Sequence, residues 1–84
     1  EARKERLPKT VSLYNLKPER VVKAFERAGW VNRGFKGSHV KLTKEGNPNI
    51  LSVPVHKGKS VKIGLLKDQI RKAGLTEEEF LGFL

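Results

Sequence analysis

Two segments, His39–Lys44 and Ile50–Val55, set apolar residues at alternate positions, Val40 and Leu42 in the first and Leu51 and Val53 in the second. Alternation with a period of two marks strands that bury one face and wet the other. Between the runs, Glu45-Gly46-Asn47-Pro48-Asn49 carries turn residues, so the pair reads as an antiparallel hairpin. In such a hairpin opposed residues have position numbers of constant sum, and they share a face. Val40 and Leu42 must lie on the buried face with Leu51 and Val53, which requires that sum to be odd; an even sum would set Val53 against Lys41 or Thr43 and mix the faces. His39, Lys41, Ser52, Pro54 and His56 then share the other, open face. Both histidines of the chain fall there, directly opposite or diagonal to each other.

The rest of the chain supplies what this hairpin needs to bury its apolar side. Lys17–Ala28 is expected to be a helix, with Pro18 in its first turn and Val21, Val22, Phe25 and Ala28 on one face. Gly29 stops it. Trp30–Phe35 follows as a strand, closed by the turn residues Lys36-Gly37-Ser38. A second helix is expected over Gly64–Ala73, with Leu66, Ile70 and Ala73 inward, and Gly74 closes it. Thr76-Glu77-Glu78-Glu79 has the pattern of a capping box, which starts a short third helix holding Phe80, Leu81 and Leu84. The order is αβββα with a short C-terminal helix: an α+β domain with a three-stranded antiparallel meander and its helices on one face. Residues 1–9 read as a charged arm that is poorly ordered, and residues 10–84 as a single domain, which is what 84 residues allow.

Charge narrows the partners. Eighteen Lys and Arg against nine acids give a formal net charge of +9, a surface that attracts polyanions. Seven of these cations (Arg33, Lys36, Lys41, Lys44, Lys57, Lys59, Lys62) lie between positions 33 and 62 with a single acid, Glu45, whereas Glu77, Glu78 and Glu79 cluster near the C-terminus. Solubility alone accounts for scattered lysines; a concentrated run points to polyanion binding. No cysteine is present, which excludes disulfides and thiolate metal sites. The opening Glu1–Lys9 is charged and no apolar run is long enough to cross a bilayer, so a cytoplasmic protein without a membrane partner is expected.

The open face limits the chemistry. Two histidines with only Glu45 near these strands make a poor metal site, and none is expected. Ser38 adjoins His39 but points to the opposite face, and no carboxylate stands ready to orient the ring, so a serine triad is excluded. Gly34, Gly37 and Gly58 form no phosphate-binding fingerprint, and no small-molecule cofactor is implied. RNA cleavage asks for less, because RNA carries its own nucleophile, the 2′-hydroxyl. The protein must supply a base, cations to balance charge on the phosphorane, and a proton donor. A neutral imidazole can be the base, and nearby cations favour that neutral form. Lys36, Lys41, Lys57 and Lys59 are candidate charge stabilisers, and His56 a candidate donor. Residue chemistry alone leaves His39 evenly balanced between base and ordinary exposed polar residue, and favours the ordinary role for His56.

Five segments carry a resemblance: Gly29-Trp30-Val31; Lys36-Gly37-Ser38-His39-Val40; Val53-Pro54-Val55-His56; Gly64-Leu65-Leu66-Lys67; and Ala73-Gly74-Leu75-Thr76-Glu77-Glu78-Glu79-Phe80-Leu81. In this order and spacing, over roughly residues 16–84, the chain resembles the HicA toxins of bacterial and archaeal toxin–antitoxin pairs. The resemblance implies a fold like that of double-stranded-RNA-binding domains and an mRNA interferase: a metal-independent endoribonuclease that cleaves RNA with a single histidine and blocks translation until a HicB-like antitoxin masks it. It also implies that His39, in the Gly-Ser-His segment, is catalytic. With Ser38 beside it, the RNA-binding set becomes Lys36, Ser38, Lys41, Lys57 and Lys59, and His56 an auxiliary. Many members carry a second histidine where this chain has Val40, a position assigned above to the core. Lys17-Pro18-Glu19-Arg20 likewise replaces a common Ser-Gly-Lys-Glu type of helix start.

Two other readings compete. A non-catalytic RNA-binding module of the same fold would grip bases with lysines and an aromatic platform, for which Phe35 and Trp30 are candidates, although such aromatics more often belong to the core. A DNA-binding helix-turn-helix over residues 65–84 would have an acidic reading helix where a basic one is needed.

Overall fold

Pro18 sits at the head of the first helix, α1 (Pro18–Arg27), in the computed structural model, which describes residues 12–84. The expected arm over residues 1–9 lies outside them. Lys17, the N-cap, has extended backbone and makes no side-chain cap; the fixed φ of proline starts the helix instead. Pro18, Val21, Val22, Ala24 and Phe25 form the buried face.

Three strands follow, β1 (Val31–Lys36), β2 (His39–Lys44) and β3 (Asn47–Pro54), in an antiparallel sheet of order β1-β2-β3. The β2–β3 ladder pairs His39 with Pro54, Val40 with Val53, Lys41 with Ser52 and Leu42 with Leu51, so the sum is odd as the alternation requires. Val40, Leu42, Leu51 and Val53 are buried. The hairpin is tighter than expected: Glu45-Gly46 alone makes the turn, and Asn47-Pro48-Asn49 belongs to β3. Proline is tolerated there because β3 is the last strand of the sheet and Pro48 has no N–H to leave unpaired. Asn47 and Asn49 are used as straps, each donating a side-chain N–H to the Lys72 carbonyl (3.2 and 3.0 Å).

Strand β1 holds a feature the alternation does not predict. Val31 and Asn32 pair with Thr43 and Leu42, but the register shifts before Phe35 and Lys36 pair with Val40 and His39. Two residues, Arg33 and Gly34, therefore occupy the space of one: a β-bulge, with Gly34 at φ +90° and its N–H on the Asn32 side chain at 2.7 Å. An unbulged β1 would set Phe35 against His39. The bulge moves Phe35 to the helix side and sets Lys36 opposite the histidine.

Helices α2 (Ile63–Lys72) and α3 (Glu77–Gly82) complete the fold. Helix α2 runs beside β3, with Leu66 and Ile70 in the core, and buried Gln69 accepts a hydrogen bond from the Ser52 N–H at 2.8 Å. That contact and the two asparagine straps cover the edge of β3, which would otherwise present unpaired backbone groups. The capping box is formed: Thr76 Oγ1 accepts from the Glu79 N–H (3.0 Å) and the Glu79 carboxylate from the Thr76 N–H (2.8 Å). Helix α3 packs on α1 through Phe80 and Phe25, with ring centroids 5.0 Å apart. Arg27 fastens the same pair of helices by donating to the Phe83 and Leu84 carbonyls at 2.8 and 2.9 Å. Among the described residues no helix is long and apolar enough to cross a membrane.

Candidate functional site

His39 opens β2 and is half-buried on the sheet face away from α1; its neighbour Val40 points the other way and is 5% exposed. Across the ladder His39 meets Pro54 on β3 and Lys36 on β1. His56 is two positions beyond Pro54, so the histidines are diagonal rather than opposed. The ladder continues one step past Pro54, with the Val55 N–H donating to the Ser38 carbonyl at 2.9 Å. The chain then turns: the Lys59 N–H donates to the His56 carbonyl at 2.9 Å, and Gly58 sits at φ +75°. That φ at the third position of a four-residue turn is the type II geometry, which favours glycine. The Val61 N–H then bonds the Leu16 carbonyl at 2.8 Å, anchoring the return to α2.

The result is a depression of about 240 Å³ lined by both histidines, Pro54, Lys59, Ser60, Lys62 and Leu65. Its sources are the start of β2, the end of β3, the turn beyond it and the beginning of α2. Sequence reasoning placed His39, His56 and Lys59 in one functional set and missed Lys62, Ser60 and Leu65. Lys62 closes the run Lys57, Lys59, Lys62, which is the signal that marks it. The other expected residues surround the depression rather than line it. Lys41 lies on the same face, its ammonium donating to Ser52 Oγ at 3.0 Å, and Lys36 faces His39 from β1. Lys57 is exposed on the turn, and Ser38 is paired with Val55 on the opposite parity from His39. Of the remaining cations in the basic run, Arg33 donates to Thr43 Oγ1 (2.9 Å) and Lys44 to the Ala28 carbonyl (3.0 Å), away from the depression.

Neither candidate aromatic lies on this face. Trp30 is a core residue, 3% exposed. Phe35 is 66% exposed, yet it shares the parity of Val40 and lines a groove against α1 with Pro18, Val22 and Glu26. Neither Trp30 nor Phe35 therefore forms a base-stacking platform beside His39.

Carboxylates and cations pair along α2 and at the start of α3. Among the described residues, the carboxylate–cation pairs are Lys67–Glu77 (3.7 Å), Lys72–Asp68 (3.3 Å) and Arg71–Asp68, all on the helical side. Hydrogen bonds from Arg71 and then Lys72 hold the Asp68 carboxyl below its usual range. A larger groove, about 540 Å³, lies between α2 and α3, but its Lys67, Arg71, Asp68 and Glu77 neutralise one another and it holds no histidine. No three of the described His, Asp and Glu side chains gather as metal ligands would.

The structure presents an αβββα domain whose open sheet face carries a histidine and several lysines that, among the described residues, pair with no carboxylate. A family model described as the HicA toxin of bacterial toxin–antitoxin pairs matches residues 18–75, more than half of the chain. The chain belongs to the HicA toxin family, and membership of a toxin–antitoxin family implies an antitoxin as its protein partner. No curated protein shows significant similarity to it.

Proposed function

We propose that this protein is an mRNA interferase: a metal-independent endoribonuclease in which His39 takes the proton from the RNA 2′-hydroxyl. The observation that carries this reading is the position of His39, half-buried at the rim of a depression that also holds Lys59 and Lys62, with Lys36 and Lys41 beside it. The 2′ oxygen attacks the adjacent phosphorus, the bond to the 5′ oxygen breaks, and a 2′,3′-cyclic phosphate is left. The lysines hold the phosphate and offset the charge that builds on its oxygens, the role in which fixed charges contribute most to catalysis. Because the nucleophile belongs to the substrate, neither a metal-bound water nor a protein nucleophile is needed. The cytoplasm, where message is found, is the setting this activity requires. A HicB-like antitoxin would silence the protein by covering the same face, in competition with RNA.

Replacing His39 by alanine tests the assignment. General-base catalysis contributes about 10²–10⁴-fold, so the variant should lose cleavage and growth inhibition by about that factor. Its circular dichroism should match wild type, since truncation on an open face leaves no core cavity. A His39→Ala protein that cleaves RNA at the wild-type rate refutes the catalytic role. A wild-type protein that binds RNA and never cleaves it would instead be a binding module.

A further inference from the structure

The base is half of what RNA cleavage needs, because the departing 5′ oxygen must receive a proton. Resting on the ribonuclease reading above, we infer that His56 is the general acid that protonates this leaving group, so that cleavage uses two histidines, one on β2 and one just past the end of β3. Both line the one depression, His39 from the start of β2 and His56 from just past the end of β3. In-line displacement places the entering and leaving oxygens on opposite sides of the phosphorus, and two imidazoles set diagonally in one depression suit that demand. The other proton carriers lining the depression are Lys59 and Lys62. An ammonium, with an ordinary pKa about 10.4, gives up its proton far less readily than an imidazolium at about 6.5, and acid catalysis is most efficient when the donor's pKa lies near the working pH. Lys41 is directed elsewhere, onto Ser52. The lysines therefore bind phosphate, and the second histidine is the competent donor. The type II turn from His56 to Lys59 fixes the backbone from which that imidazole projects.

The step balances. Neutral His39 accepts the 2′-hydroxyl proton as the 2′ oxygen bonds phosphorus. The bond from phosphorus to the 5′ oxygen breaks, and that oxygen takes the proton of His56 in its imidazolium form. The products are a 2′,3′-cyclic phosphate and a 5′-hydroxyl, with the protonation states of the histidines exchanged; solvent restores them.

A substrate whose leaving group needs no proton isolates the role. Wild type, His39→Ala, His56→Ala and His56→Gln are each assayed on one RNA oligonucleotide in two forms, with an ordinary linkage or with a bridging 5′-sulfur at the cleaved position. Binding is measured on a 2′-deoxy version that cannot react. Both His56 variants should lose about 100-fold or more on the ordinary linkage and return to near the wild-type rate on the 5′-thio linkage. Their affinity for the 2′-deoxy oligonucleotide should stay near that of wild type. His39→Ala should be inactive on both. Ordinary-linkage cleavage by both His56 variants within about threefold of wild type, or an equal loss on both linkages, overturns the assignment while leaving His39 as the base. Failure of the wild-type protein to cleave either form overturns the ribonuclease reading and the acid with it.

Discussion

Replacing Gln69 by methionine should destabilise the domain far more than a substitution on the exposed face of the same helix, because Gln69 completes the hydrogen bonding of β3, the strand that leads into the site. The side chain is 6% exposed, and its amide oxygen accepts the Ser52 N–H at 2.8 Å. Methionine keeps the length and fills the space but offers no good acceptor. The Ser52 N–H then remains half-buried without a partner, at a cost of about 1–3 kcal/mol, and apolar burial of the new side chain offsets a small part of this. A net loss of about 2 kcal/mol is a large share of the roughly 4–12 kcal/mol that stabilises a domain of this size. It should lower the melting temperature by roughly 8–16 °C. Urea denaturation followed by circular dichroism measures it, with Lys67→Met as the control: Lys67 is exposed on α2 and its pair with Glu77 spans 3.7 Å, so the change should cost less than about 1 kcal/mol. If Gln69→Met proves no less stable than Lys67→Met, water serves the Ser52 amide, and the strapping of α2 to β3 rests on the asparagines alone.

Other changes probe the sheet and its charge. Val40→Asp should unfold the domain, since a buried, unpaired charge costs on the order of several kcal/mol; a folded variant by circular dichroism would contradict the placement of Val40 in the core. Gly34→Val should cost roughly 1–3 kcal/mol through the left-handed backbone of the bulge and should impair cleavage beyond its effect on stability, because Lys36 would lose its station opposite His39; wild-type activity in the folded fraction would show the bulge to be irrelevant to the site. RNA affinity should fall with a log–log salt slope of about −3 to −4, as four or five phosphate contacts imply. Neutralising Lys41 or Lys59 should flatten that slope by about one unit and neutralising Lys72, paired with Asp68, should leave it unchanged; equal effects at all three positions would move the binding surface off the sheet.

The parity of the β2–β3 hairpin was legible because four apolar residues, Val40, Leu42, Leu51 and Val53, cannot be buried together in any other way. The placement of both histidines on the open face follows from that fact alone. Helices α1 and α2 were legible to within a residue at each end, and the start of α3 likewise, since Pro18, Gly29, Gly74 and the Thr76–Glu79 box are local signals whose physics does not depend on the rest of the fold; α3 stops at Gly82 and leaves out Leu84, which was expected within it. What stayed hidden is non-local. Gly34 in a strand pattern announces some irregularity, but only the ladder with β2 shows that it reverses the parity of Phe35 and Lys36. The stripe Leu66, Ile70, Ala73 marks the inward face of α2 and gives no reason to bury Gln69, whose partner is a backbone N–H on another element. Lys62 and Leu65 join the site because the start of α2 meets the end of β3, a meeting with no signature in either segment.

A sheet with one covered face separates stability from function residue by residue. Alternation sends Val40 and Leu42 into the core and His39 and Lys41 to the open side, so neighbours in sequence answer to different demands. The open side can accumulate like charge because the repulsion is modest: two unit charges about 10 Å apart in water repel by roughly 0.4 kcal/mol. Each such pair is an energy that the free protein carries and that a bound polyanion would remove, so the same lysines that weaken the isolated domain slightly would draw RNA towards His39 under the proposed function. An acidic protein surface would be drawn by the same field at electrostatically assisted rates. Substrate and antitoxin would then compete for one face without any conformational link between distant sites. The helical side, where Asp68 and Glu77 neutralise Arg71, Lys72 and Lys67, offers neither of them a comparable field.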